Sequence, residues 1–187
     1  MTLIKSISGI RGTIGGHHGD GLTPLDVVKF SAAFAVWLKR NSNQTKCKVV
    51  VGRDARISGE MVSGLVISTL VAMGVDVVDT GLSTTPTVEM DVPFHQADGG
   101  IILTASHNPK QWNALKLLNN KGEFISAADG EELLRIADSD ELLFSDINHL
   151  GQVTYDNNSI QRHIEKILAL PYVNVDLIKS KNFKVAI

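Results

Sequence analysis

Gly99-Gly100-Ile101-Ile102-Leu103 runs directly into Thr104-Ala105-Ser106-His107-Asn108-Pro109. The first five residues form a short apolar run bounded by glycine, the pattern of a strand buried on both faces of a parallel sheet. Asn108 and Pro109 favour a turn immediately after it. Ser106 is thereby expected on a loop just beyond the C-terminal end of a core strand, where open α/β sheets bind their ligands.

Working outward, strand-like and helix-like segments alternate. Lys48-Val49-Val50-Val51 and Val75 to Thr80 read as further strands. Between the strands, Leu22-Thr23-Pro24 opens a helix in which Val27, Val28, Phe30, Phe34, Trp37 and Leu38 recur at helical spacing. A second helix starts at Ser58 or Gly59, passes through Met61, Leu65 and Leu70, and ends at Gly74. A third covers Pro86 to His95, and Ala114 to Leu118 reads as a strand. Such alternation predicts an α/β fold, a three-layer α/β/α sandwich around a small mixed, mostly parallel sheet. The connection from Leu103 to Ala114 is too short for a helical crossover, so that last strand pair is expected to be antiparallel.

Beyond residue 120 the reading continues with a helix over Asp129 to Ala137 and the acidic stretch Asp138-Ser139-Asp140-Glu141. A short strand follows at Gly151 to Tyr155. Ser159 is expected to cap a helix that places Ile160, Ile164, Ile167 and Leu168 on one face. Phe183-Lys184-Val185-Ala186-Ile187 reads as one more strand. Residues 1–150 are therefore expected to form one domain, and residues 151–187 a linker helix with the first strand of another.

The chain has 187 residues, 43% hydrophobic and 20% charged, ordinary values for a protein with a real core. With 18 Lys and Arg against 20 Asp and Glu, the formal charge is −2. No global basic field exists to recruit nucleic acid or an anionic membrane, and any phosphate binding falls to local cations. Cys47 is the only cysteine, which excludes an internal disulfide and suits a reducing compartment. Residues 1–5 lack a signal-peptide pattern, and no apolar run approaches the ~20 residues of a membrane span. A cytoplasmic location is expected.

Four motifs then carry a resemblance. Thr104 to Pro109 resembles the phosphoserine loop of the α-D-phosphohexomutases. Ser8-Gly9-Ile10-Arg11-Gly12-Thr13 resembles the N-terminal signature of that family, and Val51 to Gly59 its second signature. Asn113-Ala114-Leu115-Lys116 resembles the motif that follows the serine loop, with Ala114 in place of the usual glycine. The resemblance implies the fold of phosphoglucomutase domain I and a chain covering the first of four domains.

It also implies the chemistry. Ser106 would carry a phosphoryl group between the 1- and 6-positions of a hexose or hexosamine phosphate, through a sugar bisphosphate. The opening motif is similar to the phosphoglucosamine mutase branch, with phosphomannomutase and phosphoglucomutase close behind. The partner is a small-molecule sugar phosphate. The alternative is a non-catalytic phosphate-binding module on the same fold. The cofactor implied is Mg²⁺, held by a Ser106 phosphoryl oxygen and by carboxylates of a second-domain loop that is not in this chain. Asp138 to Glu141 has the carboxylates but not the arginine of that loop. An isomerase is expected of the full-length protein, and no activity of this part alone.

Individual residues have competing readings. Lys116 can neutralise phosphate charge or exchange a proton with a hydroxyl, and its alternative is a lysine that protects an edge strand. Arg11 sits between glycines, in an expected turn, where its planar fork can bind a phosphoryl bidentately; otherwise it faces solvent. His107 and Asn108 are candidate phosphate or substrate contacts, and Asn108 also suits loop fixing. No nucleophile elbow supports a hydrolase triad built on Ser106 and His107. Arg53, with Asp54 and Arg56, either meets phosphate or braces the serine loop. His17 and His18 lie in a glycine-rich loop without the clustered partners a metal needs.

Overall fold

The β-branched and glycine-bounded runs form the centre of one twisted sheet, flanked on both sides by helices that the chain caps with its own side chains. The structure is a computed structural model that describes residues 2–6, 9–42, 44 and 46–186. In chain order the elements are β1 (Ile4–Ser6), β2 (Gly9–Thr13), α1 (Pro24–Asn41), β3 (Lys48–Arg53), α2 (Gly59–Ala72), β4 (Asp76–Leu82), α3 (Thr85–Phe94), β5 (Gly99–Leu103) and β6 (Trp112–Leu118). After these come α4 (Ala127–Ala137), β7 (Val153–Tyr155), α5 (Ser159–Leu168) and α6 (Val175–Ser180).

Among the described residues the sheet has seven strands in the order β1-β2-β6-β5-β3-β4-β7. The β5-β3, β3-β4 and β4-β7 pairs are parallel, and β6, β2 and β1 add antiparallel pairs on the other side. Five of the seven strands thus point one way, which makes the sheet mixed and mostly parallel in direction. The β5-β6 pair is antiparallel, with Ile101 opposite Leu117 and Leu103 opposite Leu115, because eight residues reverse the chain without a crossover.

Strand alternation sends Val49 and Val51 of β3 to one face and Val50 to the other. On the first face they pack with Phe30 and Phe34 of α1, Val62 and Leu70 of α2, and Leu133 and Ile136 of α4. On the second, Val50, Val78 and Ile102 meet Val88 and Val92 of α3. The three layers are the expected sandwich.

Helix starts follow local chemistry. Thr23 caps α1 in a capping box with Asp26, and Pro24 occupies the first turn, where its missing N–H costs nothing. Ser126 and Asp129 form a second capping box at α4, and Thr84 caps α3.

Two details depart from the sequence reading. Ser159 is not a cap: Asn158 occupies that position, and the buried Ser159 hydroxyl accepts a hydrogen bond from Arg162 at 3.4 Å. Residues 183–186 carry no strand and are exposed, since an extended run becomes a strand only where a neighbour pairs with it; Ile187 lies outside the described residues. β7 pairs with β4 in the same sheet, and the α5 residue Arg162 bonds to Asp91 of α3.

Candidate functional site

The serine loop leaves β5 at Leu103 with Thr104 and Ala105 still buried. Ser106 then takes a left-handed conformation, φ 53°, unusual for a residue with a side chain. Two turns support it: the Ser106 N–H donates to Thr104 Oγ1 at 3.1 Å, and the Asn108 N–H to the Ala105 carbonyl at 3.0 Å. Ser106 and His107 are exposed at the surface.

The loop borders a cavity of about 290 Å³ that Arg11, Ser106, His107, Asn108, Lys116 and Phe124 line, together with Ser6, Gly9, Thr104, Ala105 and Ala114. Register explains the meeting of Arg11 and Lys116. Arg11 of β2 lies opposite Ala114 of β6, and Ala114 and Lys116 share a face by the two-residue period of a strand. Arg11 is therefore in a strand and not in the expected turn. Its flanking glycines serve close packing: a Cβ on Gly9 would stand 2.0 Å from the Leu115 carbonyl oxygen, and one on Gly12 2.8 Å from Leu22 N. Ser8, which opens the N-terminal motif, lies outside the described residues.

Lys116 is not on a sheet edge, because β6 runs between β2 and β5. Its Nζ lies 5.7 Å from the centroid of Phe124, a cation–π arrangement at the cavity wall. Phe124 was not singled out from sequence; it reaches the site through a chain reversal after β6, where it bridges Leu118. Among the described residues no Asp or Glu lines the cavity. Its ionisable side chains are an arginine, a lysine and a histidine, a lining that suits a phosphoryl group.

The second motif is turned otherwise. Arg56 Nε donates to Asp54 Oδ2 at 3.2 Å. Its Nη1 donates to the carbonyls of Pro109 and Trp112, both at 3.0 Å. Its Nη2 donates to those of Ser106 and Asn108, both at 2.8 Å. Arg53 bonds instead to the Asp54 carbonyl and to Glu60, both at 3.2 Å, and does not line the cavity. The motif thus grips the serine loop from behind. Asn108 takes part through its backbone, as donor to Ala105 and acceptor from Arg56.

Metal chemistry has little support at the cavity itself. A magnesium ion prefers oxygen ligands, and the lining offers no carboxylate, so these residues do not by themselves fit the ion. His18 is bound to Asp26 at 3.0 Å and ties the glycine-rich loop to the start of α1. Among the described residues, Asp91, His95 and Asp156 form a group with metal-ligand chemistry. The Arg162 guanidinium already stands between the two carboxylates, 2.7 Å from Asp91 Oδ1, and stacks 3.8 Å from the Phe94 ring centroid.

An α/β/α sandwich that presents a serine loop over a cationic recess, at the C-terminal end of a central strand, has the architecture of a phosphohexomutase domain. Residues 3–143 match the family described as phosphoglucomutase/phosphomannomutase, alpha/beta/alpha domain I. The chain belongs to this family and represents its N-terminal domain. It is 40% identical over 179 residues to a phosphoglucomutase/phosphomannomutase of Thermococcus kodakarensis, covering 92% of this chain and 36% of that protein. It is 32% identical over 188 residues to a phosphoglucosamine/phosphogalactosamine mutase of Sulfurisphaera tokodaii, covering 100% of this chain and 39% of the relative. A crystal structure of a phosphoglucomutase/phosphomannomutase family protein from Burkholderia thailandensis superposes with a TM-score of 0.70 at 27% identity, over 89% of this chain and 36% of that one. The chain thus spans little more than a third of the length of the relatives it matches.

Proposed function

We propose that this domain supplies the phosphoryl carrier of a phosphohexomutase, an isomerase that moves a phosphoryl group between the 1- and 6-positions of a hexose or hexosamine phosphate. The observation that carries the reading is Ser106, held on a braced loop at the rim of a recess lined by Arg11, His107 and Lys116. In the forward step a sugar hydroxyl oxygen attacks the phosphorus of phosphorylated Ser106, and the bond from phosphorus to Ser106 Oγ breaks. Lys116 Nζ gives a proton to the departing Ser106 Oγ and takes up the hydroxyl proton in its place. The same events in reverse, at the other end of the sugar bisphosphate, restore the phosphoserine. Arg11 and His107 hold the phosphoryl oxygens, and such transfer depends chiefly on positioning and charge neutralisation.

Hexosamine phosphate is the favoured substrate, supported by the opening motif and by relatives named as phosphoglucosamine mutases. A magnesium ion would be held by the Ser106 phosphoryl oxygen only together with carboxylates that this cavity does not supply, and would there neutralise phosphate charge. Residues 151–187 then lead towards a second domain, the 187 residues alone lack mutase activity, and the enzyme works in the cytoplasm. In the described residues no helix is long and apolar enough to cross a membrane.

The test is phosphosite mapping on the full-length protein, paired with interconversion of hexose and hexosamine phosphates. The expected results are phosphate on Ser106, adding about −1.5 to −2 charge units at neutral pH, and loss of activity in Ser106→Ala. Phosphate on another residue, with activity retained in Ser106→Ala, rejects the proposal.

A further inference from the structure

The geometry points to Arg56 as a positioning residue: its guanidinium sets the conformation of the Ser106 loop for phosphoryl transfer without touching substrate. A guanidinium has five N–H groups, and all five are engaged, one with Asp54 and four with the carbonyls of Ser106, Asn108, Pro109 and Trp112. None is left for a phosphoryl oxygen. The side chain is 12% exposed, so water competes weakly for these bonds. Asp54 fixes the fork from the other side, since it accepts both the Arg56 backbone N–H at 3.0 Å and Nε. The Asp54 N–H in turn donates to the Leu103 carbonyl at 3.0 Å, which ties the brace to the last residue of β5.

The held carbonyls span the whole turn, from the left-handed Ser106 to the first residue of β6. A single planar cation thus defines the path of the loop at four points. Lysine cannot replace it, because an ammonium has three donors and no fixed fork. Displacement of a reacting group by about 1 Å costs on the order of 10²-fold in rate. That loss falls on turnover and not on substrate affinity, as Arg11 of β2 and Lys116 of β6 remain in place.

This inference rests on the phosphohexomutase reading for its kinetic arm alone. Arg56→Lys and Arg56→Met in the full-length protein are compared with the wild type by steady-state kinetics, and amide hydrogen exchange is followed in the same proteins. The expected result is a drop in kcat on the order of 10²-fold with KM held, not rescued by lysine. Exchange at Ser106 and Asn108 accelerates while β3 stays protected. A rise in KM with kcat held makes Arg56 a substrate ligand and overturns the inference, as does unchanged kcat. If the wild type interconverts no hexose phosphate, the functional reading fails, and exchange decides the brace by itself: unchanged loop exchange in Arg56→Lys overturns it.

Discussion

Asn113 of β6 donates its side-chain amide to the Ser58 hydroxyl at 2.9 Å, joining the strand that carries Lys116 to the start of α2. The same side chain accepts the Ala114 N–H at 2.8 Å, and Asn113 is fully buried. Two motifs 55 positions apart meet in this one hydrogen bond. Ser58 consequently makes no side-chain cap to α2. Its hydroxyl holds the adjoining strand, so the second motif is tied to β6 as well as to the serine loop.

Asn113→Ala removes both bonds and leaves a buried N–H unsatisfied, at a cost of about 1–3 kcal/mol. Urea unfolding of the 187-residue chain checks this. A midpoint equal to that of the wild type would show that the bond contributes nothing.

Gly9 and Gly15 separate two effects of a positive φ, at 123° and 96° respectively. Gly15→Ala meets nothing within 4 Å, so it reads only the conformational cost, of order 1–3 kcal/mol. Gly9→Ala carries a similar cost and also drives a Cβ to within 2.0 Å of the Leu115 carbonyl oxygen, which separates β2 from β6. Gly9→Ala is expected to be clearly the more destabilising in thermal unfolding.

For Lys116 the expected outcome is a split between charge and proton transfer. Lys116→Met lowers kcat of the full-length enzyme by ~10²–10⁴-fold with little loss of stability. Lys116→Arg restores little, because a guanidinium keeps its proton near neutral pH. Steady-state rates with both variants check this. Substantial rescue by arginine would reduce Lys116 to a phosphate clamp.

The attachment of α5 has an acid limit. Burial pushes the Asp156 carboxyl up, but hydrogen bonds from Arg162, the Asn158 amide and His95 outweigh it and hold the group below its ordinary value. A carboxylate with a lowered folded pKa stabilises fully above its unfolded value of about 3.9 and loses that contribution as pH falls through the folded value. Hydrogen exchange in α5 should accelerate below about pH 4, and Asp156→Asn should remove this share of the acid dependence. Arg162→Met leaves Asp91, 2% exposed, without its cation; such losses run to about 3–5 kcal/mol and here loosen α5 at neutral pH.

Much of this molecule is legible in local chemistry. The valine run of β3, the glycine-bounded β5 and the capping threonine before Pro24 identify their elements, because burial, turn chemistry and capping act over a few residues. Ser106 could be placed on a loop for the same reason, and the short β5-β6 connection implied antiparallel pairing. Local patterns failed where a partner lay far away in sequence. Gly9 and Gly12 read as turn formers, yet they admit the backbones of Leu115 and Leu22. Ser159 read as a cap, but Arg162 draws its hydroxyl into the Asp91 and Asp156 cluster. Neither the role of Arg56 nor the presence of Phe124 beside Lys116 follows from spacing. A guanidinium reaches carbonyls 50 to 56 positions away only after β5 and β3 have paired and β6 has folded back. Residue types and turn propensities specify the pieces and the reactive serine, whereas strand order and register choose which cations, carbonyls and rings share its cavity.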